Sequence, residues 1–242
     1  MNGVVESVFV VIPALNEATV IGDVIAGVRR HWPQVVLVDD GSSDATGAQA
    51  RAAGAHVVRH AINLGQGAAL QTGITHALRL GASHVVTFDA DGQHEPADIA
   101  VLLDALRQSG AEVALGSRFK GTAVGMTWHR RALLQTARWV NYGFTGLRLS
   151  DAHNGMRALT RRAAAQLELR QPGMAHATEI IAQVAHHRLT HVEVPVTIRY
   201  TAYSMAKGQK LSNSVHILLD LLLGHEIGLV ALSTLLVPHH PA

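Results

Sequence analysis

An α/β fold, with a mostly parallel sheet covered by helices on both faces, is predicted by three features of the 242-residue sequence. Short β-branched apolar runs alternate with stretches of helical periodicity. The turns between them are brief. The runs are apolar at nearly every position instead of alternating with polar residues, as strands buried on both faces are. Strand–helix alternation of this kind stacks into a sheet between helical layers.

The first run, Val8–Ile12, is closed by Pro13 and followed by Ala14-Leu15-Asn16-Glu17. Val20, Ile21, Val24, Ile25 and Val28 then recur at helical spacing up to Arg30, with Asn16 as the expected cap. Val35–Val38 is the second strand. It ends in Asp39-Asp40-Gly41-Ser42-Ser43-Asp44, where Ser43 or Asp44 is expected to cap a helix over Ala45–Ala53. His56–Arg59 is a third strand, and Asn63–Gly67 leads into a helix from Ala68 to Leu80. Val85–Phe88 is the fourth strand. Glu95-Pro96 opens a helix over Ala97–Gln108, with proline in the first turn where its missing N–H costs nothing. A strand over Glu112–Gly116 runs into Ser117-Arg118-Phe119-Lys120, and a helix with three arginines spans Arg130–Phe144. Ser150–Arg157 is a loop that returns to the sheet at Ala158–Thr160. Helices over Ala163–Leu167 and Thr178–His187 precede a last strand, His191–Tyr200, in which Pro195 marks an edge or a bulge.

A hydrophobic content of 48% and a charged content of 16% exclude a disordered chain. With no cysteine there is no disulfide framework and no thiolate metal site. The formal charge is +2 with no concentrated basic stripe, so nucleic acid is not an expected partner. The start, MNGVVESVFVV, lacks a positive n-region and does not read as a signal peptide. No linker splits Val8–Tyr200, so residues 1–210 are expected to form one globular unit and residues 211–242 a helical tail. Asp220, His225 and Glu226 interrupt every window of roughly 20 residues that a spanning helix needs. An amphipathic helix at a membrane interface, behind Lys207 and Lys210, is the preferred reading. The alternative is a helix packed on the main unit or on a second subunit, giving a homodimer.

The chemistry concentrates in His84–His94, HVVTFDADGQH. Asp89 and Asp91 stand one residue apart just beyond a buried strand, where open α/β sheets bind ligands. If the pleat is lost at Gly92, both carboxylates can face one cation. Oxygen ligands suit Mg²⁺ or Mn²⁺, which commonly bridge a carboxylate to substrate phosphates. A turn held by Asx hydrogen bonds is the plainer alternative for the pair taken alone. Acidic or polar loops also follow the first and second strands, so three loops converge on one rim. Pro13–Glu17 and Asp39-Asp40 would then flank the base and ribose of a nucleotide, and Asp89 and Asp91 would hold a metal on its diphosphate. Gly65-Gln66-Gly67-Ala68-Ala69-Leu70 begins like a dinucleotide fingerprint but follows the third strand and ends in Leu70. A close approach of backbone to ligand or helix is the better reading there. The histidines scatter, and His94 alone stands beside the acidic pair.

The ordered series VVIPALNE, VVLVDDGSSDAT, NLGQGAALQTG, FDADGQHEP, GSRF and DAHNGMRAL resembles the family 2 glycosyltransferases of GT-A fold. It is most similar to their dolichyl-phosphate mannosyltransferase and polyprenyl-phosphate glycosyltransferase branch, over residues 8–210. The resemblance implies an inverting transfer of mannose or glucose from a nucleotide sugar, GDP-mannose or UDP-glucose, to a lipid phosphate, with Mg²⁺ or Mn²⁺. By position, Pro13, Ala14, Leu15, Glu17, Asp39 and Asp40 would contact the nucleoside. Asp89, Asp91 and Gln93 would ligate the metal, and Arg118, Arg130 and Arg131 would bind the acceptor phosphate. Gln135 and Thr136 stand where relatives often carry a serine. Asp89, Asp91 and Arg118 form the implied catalytic set. The implied location is the cytoplasmic face of the cell membrane, peripherally or through a small membrane subunit. Two other readings stand beside this one. Transfer to a sugar hydroxyl would need a general base, for which Asp151 is the candidate. A nucleotide-binding scaffold would keep the fold without turnover.

Overall fold

A computed structural model of the chain describes residues 6–171, 173, 175–201 and 203. Strands β1 (Val8–Ala14), β2 (Val35–Asp39), β3 (His56–Arg59), β4 (His84–Thr87), β5 (Val113–Val124), β6 (Arg157–Thr160) and β7 (His191–Arg199) form one sheet. Their order is β3-β2-β1-β4-β6-β5-β7. Only β6 runs against its neighbours. The helices are α1 (Ile21–Arg29), α2 (Thr46–Ala52), α3 (Gln66–Arg79), α4 (Asp98–Ser109), α5 (Trp128–Thr145), α6 (Arg161–Gln166) and α7 (His176–His186). The predicted class, a mostly parallel sheet with helices on both faces, is the observed one.

Successive strand residues face opposite sides of a sheet, and here both sides are covered. Val10 and Ile12 pack with Ile21 and Ile25 of α1 and Leu102 of α4. Phe9 and Val11 pack with Leu70 and Ile74 of α3 and Ile180 of α7. That double burial is why the strands read as unbroken apolar runs. Because β1, β2, β4 and β5 point the same way, their carboxyl ends share one edge of the sheet, and β6 begins there.

Three local expectations are corrected. Pro13 does not end β1, which continues to Ala14 and pairs Pro13 with Val38 and Ala14 with Asp39. Pairing with β4 stops at Val11, so by Pro13 the strand has only β2 beside it. Asn16 does not cap α1, whose N-cap is Val20. Asn16 instead takes a left-handed φ of 54° and accepts the Ser43 N–H at 2.9 Å, tying the loops after β1 and β2 together. Strand β5 runs on to Val124, with a register shift between Ser117 and Thr122 opposite Pro195 on the edge strand β7. That edge and bulge are what Pro195 announced. Gly67 supplies the expected close approach, since a Cβ there would lie 2.0 Å from the Gln171 carbonyl oxygen. The tail expected over residues 211–242, with Lys207 and Lys210, lies outside the described residues. Among the described residues no helix is long and apolar enough to cross a membrane.

Candidate active site

The backbone holds sheet geometry one residue past β4, where Phe88 N donates to Val11 O at 3.0 Å. It then turns through Gly92 at φ 72°. The turn leaves Asp89 with Oδ2 2.9 Å from Nε2 of His94 and Oδ1 3.5 Å from Nε2 of Gln66. His94 is itself buried, its ring 5.3 Å from that of Phe88 and its Nδ1 enclosed without a hydrogen-bond partner. Burial alone would raise the Asp89 pKa, but the His94 bond and the nearby charges of His94 and Arg157 hold it below the usual carboxylate range. Asp91 accepts the Gln93 N–H at 3.0 Å and is pushed up to about 6, by burial first and by the charge of Asp89 second.

Two crowded carboxylates with lost hydration are what a hard divalent cation relieves, and their oxygens are the donors Mg²⁺ and Mn²⁺ prefer. The residues therefore fit such an ion. Among the described residues no group of three or more His, Asp or Glu is arranged to hold a metal alone. Substrate phosphate oxygens and water would complete the shell, as is usual for Mg²⁺. Gln93 enters through its backbone, its N–H on Asp91 and its carbonyl accepting from Arg199 N at 2.9 Å.

On the neighbouring loops, Glu17 is buried and lies close enough to Asp91 for its charge to raise that carboxyl. Its backbone N–H donates to Thr46 Oγ1 at 2.8 Å, and its Oε2 accepts the Tyr203 hydroxyl at 2.7 Å. Burial and that bond push the Tyr203 hydroxyl up to about 12. Pro13 and Ala14 are the buried last residues of β1, and Leu15 is half-buried beside them. Asp40 is bonded to the loop before α3: Oδ1 accepts Leu64 N at 2.9 Å, Oδ2 accepts Gly65 N at 2.7 Å, and His60 Nδ1 lies 2.7 Å from Oδ1. Asp39, expected beside the nucleoside, lies at the end of β2 next to Asp40. It is fully buried, accepts Ser42 N at 2.9 Å, and lies so close to α2 that a Cβ on Gly47 would come 2.6 Å from its Oδ2. Asp44 accepts the N–H of Thr46, the first residue of α2.

At the end of the rim beyond β6, a cluster of cations meets. Arg118 is buried, with Nε 2.6 Å from Asp151 Oδ2, Nη1 2.8 Å from the Tyr200 hydroxyl and Nη2 3.1 Å from the His153 carbonyl. A guanidinium carries five N–H donors, so these bonds orient it without exhausting it. Arg130 lies over the Tyr200 ring, 4.9 Å from its centre, and Arg131 over Phe119 at 5.9 Å. Tyr200 thus joins two of the three arginines that the sequence singled out. Asp151 is not a free base: it is buried and accepts both the backbone N–H and Nε of Arg118.

Between the two ends lies a polar floor that the sequence did not reveal. Arg157, at the start of β6, is fully buried with Nη1 unpartnered. Burial lowers it to about 10 against the pull of Asp89 and Asp151. The loop before it leans on Asp89, since Thr87 Oγ1 donates to Gly155 O at 2.6 Å and a Cβ on Gly155 would fall 2.2 Å from Asp89 Oδ2. His153 and His176 are each lowered to about 4, chiefly by burial. Their only sequence signal was membership of the SDAHNGMR loop, for His153 and Arg157, while His176 fell before the helix expected from Thr178, among the scattered histidines.

Residues 9–167 match the family described as "Glycosyl transferase family 2". The UDP-N-acetylglucosamine–dolichyl-phosphate N-acetylglucosaminyltransferase of Methanococcus voltae is 30% identical over 223 residues, covering 83% of this chain and 89% of its own. The polyprenol monophosphomannose synthase of Mycolicibacterium smegmatis is 32% identical over 211 residues, covering 82% of this chain and 79% of its own. Among solved structures, glucosyl-3-phosphoglycerate synthase from Mycobacterium tuberculosis, in complex with Mn²⁺, uridine diphosphate and glucosyl-3-phosphoglycerate, superposes with a TM-score of 0.66 at 21% identity. It covers 89% of this chain and 80% of its own, and that likeness is one of fold. On this evidence of family, sheet and rim, the chain belongs to glycosyltransferase family 2 and is a glycosyltransferase of GT-A fold.

Proposed function

We propose that the protein moves a hexosyl unit, mannose or glucose, from a nucleotide sugar of the GDP-mannose or UDP-glucose type to a polyprenyl phosphate such as dolichyl or undecaprenyl phosphate. The observation that carries this reading is the division of one rim into an acidic end, Asp89 with Asp91, and a cationic end, Arg118 with Arg130 about Tyr200. Relatives named for dolichyl-phosphate and polyprenol acceptors support it.

Asp89 and Asp91 would hold Mg²⁺ or Mn²⁺, which when bound neutralises the diphosphate leaving group. Pro13, Ala14, Leu15, Glu17 and Asp40 frame the loops that receive the nucleoside, and the orienting contact from His94 keeps Asp89 aimed at the rim. Arg118 and Arg130 grip the acceptor phosphate, whose oxygens match the guanidinium fork. One acceptor oxygen attacks the anomeric carbon as the bond to the diphosphate breaks on the opposite face, so the configuration inverts. The attacking oxygen is already anionic. Catalysis therefore rests on positioning and leaving-group charge, with no proton to remove. The closed Arg118–Asp151 pair favours this over a hydroxyl acceptor, which would need Asp151 free as a base. The reaction would run on the inner face of the cell membrane, with the protein peripheral to it.

A thermal-shift panel of GDP, UDP, GDP-mannose and UDP-glucose, with and without Mn²⁺, followed by transfer to polyprenyl phosphate, tests this. One nucleotide is expected to raise Tm only with metal and to support transfer. Sugar appearing on an oligosaccharide hydroxyl in preference to the lipid phosphate would overturn the acceptor assignment.

A further inference from the structure

From Val113 to Leu149 the chain carries six arginines and lysines and not one acidic residue, although the whole molecule has a formal charge of only +2. Most of this stretch is β5 and α5. Helix α5 is 18 residues long, and Asn141 is its single buried residue. Trp128 is 73% exposed and Trp139 55% exposed. Eleven residues apart, at about 100° per residue, the two rings stand within roughly 20° of one another on the helix circumference, about three turns apart. Arg131, Ala132, Thr136 and Gly143 are exposed on or beside the same face. Each ring has a polar neighbour: the Arg138 guanidinium lies 5.2 Å from the centre of Trp139, and the His129 ring stacks on Trp128 at 3.5 Å.

We infer that this face of α5, centred on Trp128 and Trp139, is the surface by which the protein docks on an anionic lipid bilayer. Tryptophan prefers the headgroup level, where one part of the ring is dry and the other wet, and arginine meets lipid phosphates there. Charge complementarity selects the occupant. Arg118 is buried against Asp151 and Lys120 is paired with Glu193, which leaves Arg130, Arg131, Arg138 and Arg148 to face outward charge. A segment of this chain would answer these four poorly, because residues 204–242 carry Asp220 and Glu226 against Lys207 and Lys210. An anionic membrane answers them. The inference rests on the proposed lipid acceptor only for its purpose. With α5 in the headgroup layer, its first turn carries Arg130 to Tyr200 and Arg118, at the depth where a polyprenyl phosphate presents its charge.

The test uses the full chain with phosphatidylcholine vesicles, with and without phosphatidylglycerol. The protein has three tryptophans, and Trp32 is packed against the core, so a fluorescence change on binding reports α5. A blue shift is expected with the anionic vesicles and should reverse at high salt. The double variant Trp128→Ser, Trp139→Ser should lose vesicle partition by about tenfold or more. Arg138→Glu should lose it in the same direction, and both should keep wild-type transfer to a water-soluble short-chain polyprenyl phosphate. Undiminished vesicle binding by both α5 variants, with binding lost in Leu218→Glu, Leu222→Glu, would overturn the assignment in favour of the tail. So would equal binding to neutral vesicles. Vesicle binding that follows α5 while no polyprenyl phosphate is glycosylated would sustain the docking face and overturn the proposed reaction instead.

Discussion

The first 112 residues hold twelve aspartates and glutamates against six arginines and lysines, whereas the next 37 hold six cations and no acid. The two regions also differ in burial. Strands β1, β2 and β4 are enclosed by helices on both faces, while Asn141 is the single buried residue of α5. The contrast teaches how one rim can handle two anionic substrates. An acidic end repels a diphosphate unless a divalent cation mediates, so on the proposed function donor binding there would be conditional on metal. A cationic end would take the acceptor phosphate directly. Each region can be disabled without touching the other, and the largest expected effect lies on the acidic side.

Asp91→Ala should lower transfer by on the order of a hundredfold or more and remove the metal dependence of nucleotide binding. The variant should nevertheless melt no lower than wild type without metal near neutral pH. A carboxyl pushed up to about 6 binds its proton more tightly folded than unfolded, so its contribution to stability falls as pH rises through that range. Nucleotide affinity that still responds to Mn²⁺ in this variant would move the metal elsewhere.

On the cationic side the first break is Asp151→Asn. It would leave Arg118 buried beside a neutral amide, and removing one partner of a buried pair costs about 3–5 kcal/mol. Denaturant unfolding should register that loss. A loss below about 1 kcal/mol, the range of surface pairs, would mean that another group answers the Arg118 charge. A smaller, more selective effect is expected of Tyr200→Phe. It keeps the ring beneath Arg130 and deletes the hydroxyl that accepts from Arg118. Losing a hydrogen bond to a charged group is worth about 1.5–3 kcal/mol, so the acceptor KM should rise about tenfold or more with donor affinity unchanged. An equal rise in both constants would take Tyr200 out of the acceptor end.

The difference between the two regions also sets how much the sequence discloses. The acidic end is local: Asp89 and Asp91 follow an apolar strand directly, and parallel order brings the other loops beside them. The cationic end is built from distant pairs, such as Arg118 with Asp151 and with Tyr200, and periodicity carries no information about such pairs. Strand β6 is four residues long, and nothing in Arg157–Thr160 announces that it runs against its neighbours. Asn16 shows a different failure. The short amide that caps helices also tolerates the left-handed conformation, and here the loop contact with Ser43 decided between them. The basic stretch is inconspicuous in the sequence because its six charges are spread over β5, α5 and the loop after them, and a formal charge of +2 averages them against the acidic region.

The polar floor between the two ends yields an effect spread over a pH range, and one whose sign is fixed. His153 and His176 are lowered to about 4, mainly by burial, from an ordinary value near 6.5. Between those limits the unfolded chain binds protons that the folded one does not, so stability must fall as pH drops from about 6.5 towards 4. Asp91 works in the opposite sense over part of the same window, because its raised pKa lets the folded state take up a proton on acidification. Asp98, also raised by burial, sides with Asp91, while His84, lowered by burial, and Asp89 and Glu6, held low by their partners, side with the two histidines, so the balance is a net loss. Melting temperatures of the metal-free protein followed across this range should therefore decline on acidification, and His153→Gln, His176→Gln should flatten the decline. An unchanged slope in the double variant would mean that acid lability resides elsewhere, and that both rings can take up a proton without opening the floor beneath Asp89.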